Sequence, residues 1–287
     1  MGIVKEVVNE AGVLIGEVLR GARILATYGP EPAFASKAAR DLSKPEAFQL
    51  LMHHVFHGRI VLDEPVKFDK TGTILTPKPG NQVLVRTSMA GVDFYHASGA
   101  YNPKSGTSGA WKDKSFAPTP AFAIVLFRLA TFLAKDWGCT QIIWGGIGHG
   151  ADNKSLNCHQ VGTCVDFYGA TTSKGKFDVV ADWSLAPIYK SDGTPAAKSG
   201  QEDRWGSATK TYYRLRASLD SPAYDFYLAV YKFVSEQCTS DGDSSPSVFG
   251  QNQPLAAGQT HHPDYPVPAR RGGHRDHMHF QLGPAFL

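Results

Sequence analysis

The chain reads as an α+β protein: a central antiparallel sheet with helices packed on one face, the other face left open, and a helical N-terminal segment. Three observations carry this reading. The strongest helical period lies over residues 120–136, where Phe122, Val125, Leu126, Leu129, Phe132 and Leu133 share one face and Gly138 stops the helix. Near the C-terminal end His277, His279 and Gln281 alternate with Met278, Phe280 and Leu282, the pattern of a half-buried antiparallel strand. Between these two elements the order is strand, loop, strand, helix.

In chain order, residues 1 to about 57 read as helical. Within them residues 3–26 form an amphipathic helix on Val4, Val7, Val8, Ala11, Leu14, Ile15, Val18 and Leu19. It either packs on its own domain or docks to a carrier, a membrane or a delivery apparatus. Arg59–Leu62 and Val83–Arg86 read as strands, and residues 1–90 as an accessory segment ahead of a main domain over 91–287. A Gly-, Ser-, Lys- and Pro-rich loop over 98–120 precedes the strong helix. Strands over Gln141–Trp144 and Thr163–Tyr168 follow, then a polar stretch over 171–210. A second helix starts at Ser221-Pro222, a cap with proline in the first turn. Residues 239–273 show no periodicity; a loop of that length before a functional strand is a candidate substrate lid. Trp144, Tyr168 and Trp205 are candidate cleft walls.

Composition narrows the classes. With 287 residues and 42% hydrophobic content the chain can bury a sizeable core. A net charge of +3 without a basic run argues for no nucleic-acid partner. No transmembrane span is apparent. Lys5, Glu6, Glu10, Glu17 and Arg20 interrupt every apolar stretch at the amino end, so no secretory signal is visible. Cys139, Cys158, Cys164 and Cys238 allow three pairings if oxidised. Cys158 and Cys164 could each ligate a metal or brace the loop by bridging, and a bracing role is favoured.

Two segments carry candidate chemistry. Cys158-His159-Gln160-Val161-Gly162-Thr163-Cys164-Val165-Asp166 offers a His and, seven residues on, an Asp. His274-Arg275-Asp276-His277-Met278-His279 offers three His. A catalytic zinc site takes three protein ligands, typically His and carboxylate, and keeps one position open. The two segments together therefore suffice for one zinc site on the open face of the sheet. Asp166 lies between Val165 and Phe167, where a buried carboxylate is costly unless paired or metal-bound. Gly162 can turn the chain so that His159 comes back beside it. Other histidines read as bystanders: His53 and His57 lie four apart on a solvated helix face, and His149 sits in a glycine-rich loop without the Lys and Ser or Thr of a phosphate loop.

These segments resemble the zinc motifs of the LAS metallopeptidases, which include D-Ala-D-Ala carboxypeptidases, dipeptidases and the hedgehog signalling domain. The run from Cys158 to Asp166 is most similar to the SHQ-x-G-x-x-VD motif of penicillin-insensitive murein endopeptidases, and the run from His274 to His279 to their H-x-x-H-x-H end. The resemblance implies zinc as cofactor, with His159, Asp166 and His279 as ligands and His277, Asp276 and His274 as catalytic or neighbouring groups. In related carboxypeptidases a Glu three residues before the last ligand is the general base, and here that position is Asp276. On a strand Asp276 points away from the ligand face that His277 shares, so the two compete for the role. The implied substrate is the D-Ala-containing peptide of peptidoglycan, cut as a cross-link or as a stem, at the cell wall or in the periplasm. Lacking a visible signal, such an enzyme would be a phage lysin released by lysis, an antibacterial toxin delivered by a secretion apparatus, or a chain already cut to its mature form. The alternative is a hedgehog-like zinc domain that binds a partner without cutting.

Overall fold

A computed structural model describes residues 19–78, 81–97, 110–111, 115–145, 147, 158–184, 212–215, 222–239, 270–271 and 278–283. The helices are α1 over residues 19–28, α2 (Lys44–Phe56), α3 (Pro120–Trp137), α4 (Cys158–Val161), α5 (Val179–Asp182) and α6 (Pro222–Gln237). Of the expected helix over 3–26, residues 1–18 lie outside the described set. The long helical run is broken after residue 28: a 3-10 turn at Ala39–Asp41 is the only helical piece between α1 and α2. The physical reason is local. Pro30 and Pro32 remove two backbone donors, and α2 begins afresh at a capping box in which the Ser43 hydroxyl accepts from Glu46 N–H and the Glu46 carboxylate accepts from Ser43 N–H at 2.8 Å.

The main sheet contains β3 (Ser88–Met89), β4 (Val92–Ala97), β5 (Ala110–Trp111), β6 (Gln141–Gly145), β7 (Cys164–Thr172), β8 (Gly175–Asp178) and β12 (Met278–Gln281). Its path is β12-β7-β6-β4-β3, with β5 on β4 and β8 on β7. Every pairing is antiparallel except β4 with β6, which run parallel because α3 carries the chain back across the sheet. The expected antiparallel sheet is thus present in the main, with one parallel pairing inside it. Small ladders complete the set: β1 (Lys67–Phe68) with β2 (Ile74–Thr76), and β9 (Trp183–Ser184), β10 (Tyr212–Leu215) and β11 (Arg270–Arg271) in the order β11-β10-β9. The strands expected at 59–62 and 83–86 reduce to isolated bridges, Leu62 to Val85 and Val85 to Phe116. They still bury Ile60, Val83 and Val85 in the same core that holds Leu50, Phe94 and Phe122.

Helices α3 and α6 cover one face of the sheet. Phe226 of α6 stacks on Phe177 of β8 at 4.1 Å and meets Trp137 of α3 edge-on at 5.2 Å, while Phe132 and Phe233 stack between the two helices at 5.2 Å. Gly138 ends α3 in the left-handed region at φ 59°, a conformation a side chain disfavours. Arg128, half-way along α3, donates to the carbonyls of Ala35 and Lys37 and to the Gln237 side chain, tying the segment before α2 to the end of α6. No described helix is long and apolar enough to cross a membrane.

Of the two histidines expected on a solvated face, His57 is exposed and His53 is not. His53 is buried, with Nδ1 3.2 Å from the Tyr28 carbonyl, and His57 Nε2 lies 2.7 Å from the Gly29 carbonyl. They satisfy orphan carbonyls at the end of α1, which periodicity cannot reveal. Their neighbour His54 is buried against the Phe127 ring at 4.4 Å. Burial first, then the nearby His53, Arg59 and Arg128, push its pKa down to about 4. The folded state therefore holds His54 neutral at pH values where the unfolded chain takes up a proton. Stability is expected to be level above pH about 6.5 and to fall by on the order of 2 kcal/mol as the pH drops towards 4. Urea titrations should show that slope flattened in His54→Leu; an unchanged slope would assign the acid sensitivity elsewhere.

Candidate metal centre

Strands β7 and β12 build the floor of the centre. Their register sets His279 opposite Asp166 and Gln281 opposite Cys164. Opposed residues on paired strands point to the same side, so these four side chains share one face. Val165, Phe167, Met278 and Phe280 take the other face and are buried in the core against α6. The alternation expected near the C-terminal end is present, yet its polar row is covered. Gln281 is fully buried and the His279 side chain is 8% exposed. The cover is α4: Cys158 Sγ stands 3.6 Å from His279 Nε2, and the His159 ring meets the His279 ring edge-on at 5.0 Å.

Local sequence explains why α4 returns over the strand. Gly162 turns the chain at φ 73°, and a Cβ there would run into the Ala117 carbonyl and the Gln82 amide. The Gly162 carbonyl accepts from Thr119 N–H at 2.8 Å, and the Gln160 carbonyl accepts from the Gln82 side chain at 2.9 Å. A disulfide joins Cys158 to Cys164, whose Cα atoms are 5.3 Å apart, and closes the turn covalently. Cys139 and Cys238 are buried free thiols, with pKa values pushed up by burial to about 11 and about 12. Of the roles open to Cys158 and Cys164, bracing the loop is the one adopted.

Three donor atoms converge above this floor. Asp166 Oδ1 lies 3.0 Å from His279 Nδ1 and 3.6 Å from His159 Nε2. Side-chain exposure rises from 8% at His279 through 16% at Asp166 to 29% at His159, so the group opens towards His159. An overlapping set, Cys158, His159, Cys164 and His279, has all its ligand atoms within 4.8 Å and could hold a metal ion. The two sets differ in whether sulfur or carboxylate completes them. Sulfurs joined in a disulfide are not thiolates and do not ligate as such, so with the disulfide closed His159 and His279 are the donors of that cluster that remain.

The neighbours divide clearly. Tyr168 shares the face of Asp166, and its ring edge lies 3.0 Å from where a Cβ on Gly145 would stand; Gly145 itself pairs with Asp166. Trp144 is not a cleft wall: it is fully buried against Phe116 at 4.3 Å and His96 at 4.6 Å. A tryptophan in the central strand of a sheet with helices on one face fills the core. His274, Asp276 and His277 lie outside the described residues, as do His149, Trp205 and the loop over 239–273 apart from Thr239 and β11. Gln281 is the residue whose role the sequence reading missed. The signal was its strand parity with His279.

Comparisons of the chain with protein-family models, with curated proteins and with solved structures find no match.

Proposed function

We propose that the chain is a zinc-dependent peptidase that cuts the D-Ala-containing peptides of peptidoglycan. The observation that supports this reading is the convergence of His159 Nε2, Asp166 Oδ1 and His279 Nδ1 from two segments far apart in sequence. The donor set suits zinc in number and kind, with a fourth position left for substrate or water. A zinc ion held there would lower the pKa of a water to roughly 7 and polarise a peptide carbonyl. The chain's own contribution is rigidity and access. The paired strands hold Asp166 and His279, the disulfide-closed turn holds His159, and the more exposed His159 side is where a peptide would enter. His277, Asp276 and His274, just before β12, are the proposed proton carriers. The choice of peptidoglycan rests on the motif resemblance, and with it the place of action at the wall or in the periplasm after delivery or lysis.

The test is mass spectrometry of purified muropeptide dimers incubated with the zinc-loaded protein. Zinc-dependent cleavage, with product masses that identify the bond, supports the proposal. Intact dimers beside a fully metallated protein overturn it in favour of a non-catalytic, hedgehog-like binding domain.

The cysteine-containing cluster favours a second reading, a closed Cys2His2 structural site in the reduced protein. A double variant, Cys158→Ser with Cys164→Ser, separates the two. If the sulfurs only brace the turn, the variant keeps one zinc at wild-type affinity and loses on the order of 2 kcal/mol of stability from the opened loop. Loss of the zinc instead would make the sulfurs ligands.

A further inference from the structure

We propose that Gln281 is a positioning residue that fixes the proton of His279 on Nε2 and so presents the Nδ1 lone pair to the metal. The inference rests on the metal-site reading above and goes beyond it by naming the group that prepares the ligand. Gln281 is fully buried, and both ends of its amide are engaged: its Nε2 donates to the Gly283 carbonyl at 2.6 Å, and its Oε1 lies 3.0 Å from His279 Nε2.

A carbonyl can only accept, so the Gly283 oxygen fixes which end of the amide is nitrogen. The Gln281 oxygen must then face His279, and it too can only accept. The second atom against His279 Nε2 is Cys158 Sγ at 3.6 Å, a disulfide sulfur with no proton to give. Gln281 Oε1 and Cys158 Sγ therefore both call for an N–H at Nε2. At the other edge of the ring Nδ1 faces Asp166 Oδ1 at 3.0 Å, with His159 Nε2 3.6 Å from the same oxygen. A carboxylate can only accept, so a positive group belongs between Nδ1 and Oδ1: a proton in the metal-free protein, and a metal ion in its place when one is bound, while Nε2 keeps its own proton against Gln281. The chain Gly283, Gln281, His279 thus prepares a ligand for a cation through a buried hydrogen-bonded relay, the usual way an outer group sets a histidine's tautomer.

The test compares wild type with Gln281→Met, which keeps length and removes the acceptor, and with Gln281→Glu, which keeps an oxygen against His279. Zinc affinity is measured by chelator competition, and the His279 nitrogen that keeps its proton by 15N NMR of the zinc-loaded protein. We expect Nε2–H with ligation through Nδ1 in wild type, a zinc affinity about 10–100-fold lower in Gln281→Met, and recovery of most of it in Gln281→Glu. Ligation through Nε2 in wild type, or unchanged affinity in a folded Gln281→Met, overturns the role of Gln281. If Gln281→Met does not fold, the wild-type tautomer together with the Gln281→Glu affinity decides. A wild-type protein that binds no zinc sinks the metal reading and this role with it, whereas a wild type that binds zinc beside an unchanged Gln281→Met sinks the role of Gln281 alone.

Discussion

Replacing His279 with Ala is expected to abolish zinc binding and, with it, any hydrolysis of muropeptides. The residue stands at the centre of the donor group: Nδ1 is 3.0 Å from Asp166, its ring meets His159, and its strand is paired through Asp166 itself. Two ligands would remain, too few for a zinc site of ordinary affinity. The loss should exceed the roughly 10–100-fold that follows removal of an outer partner, which ranks His279→Ala below Gln281→Met in one titration series. Chelator competition at a pH where the wild type is saturated, with circular dichroism as the folding control, gives the answer. Full zinc occupancy in folded His279→Ala would remove His279 from the ligand set.

The second large effect lies on the other side of the same strands. Phe226→Ala should cost about 3–5 kcal/mol, the range for truncating a fully buried phenylalanine. Phe226 is buried, stacked on Phe177, set against Trp137 and within 6.4 Å of Phe167, so no neighbour can close the space without moving α6 or the sheet. Against a total stability of roughly 5–15 kcal/mol this removes a large share. Denaturant midpoints at constant m-value measure it. A cost below about 1 kcal/mol, the scale of a surface change, would mean that α6 does not anchor this sheet. Because Phe167 and Asp166 are adjacent on β7, the variant should also weaken zinc binding, linking core packing to the site.

Several elements were legible before any coordinates. The helix at Pro120–Trp137 could be read because its apolar period runs for five turns and ends at Gly138, where local chemistry suffices to stop it. The strand Met278–Gln281 could be read from alternation alone, since Met278 and Phe280 on one side and His279 and Gln281 on the other leave only one way to face a core. The start of α6 at Pro222 followed from a proline that fits only a first turn. The strands at 59–62 and 83–86 misled because apolar β-formers announce burial, not pairing: Ile60, Val83 and Val85 are buried, but only single bridges form.

What the sequence determined by itself was the kind of chemistry on offer and the face on which each residue stands: imidazoles at His159 and His279, a carboxylate at Asp166, and the parity that sets Gln281 beside His279. Those are local properties, written in side-chain identity and in a strand period of two. Only the tertiary structure decided the register that places His279 against Asp166, the pairing of Cys158 with Cys164 over the alternatives, the capping of α1 by His53 and His57, and the burial of Gln281 between Gly283 and His279. Most of these are contacts between segments brought together by packing, and even the short-range ones depend on which neighbours fold over them. Their free energies depend on loop closure, exclusion of water and the satisfaction of buried polar groups, and no stretch of residues contains those quantities until the chain has folded around it.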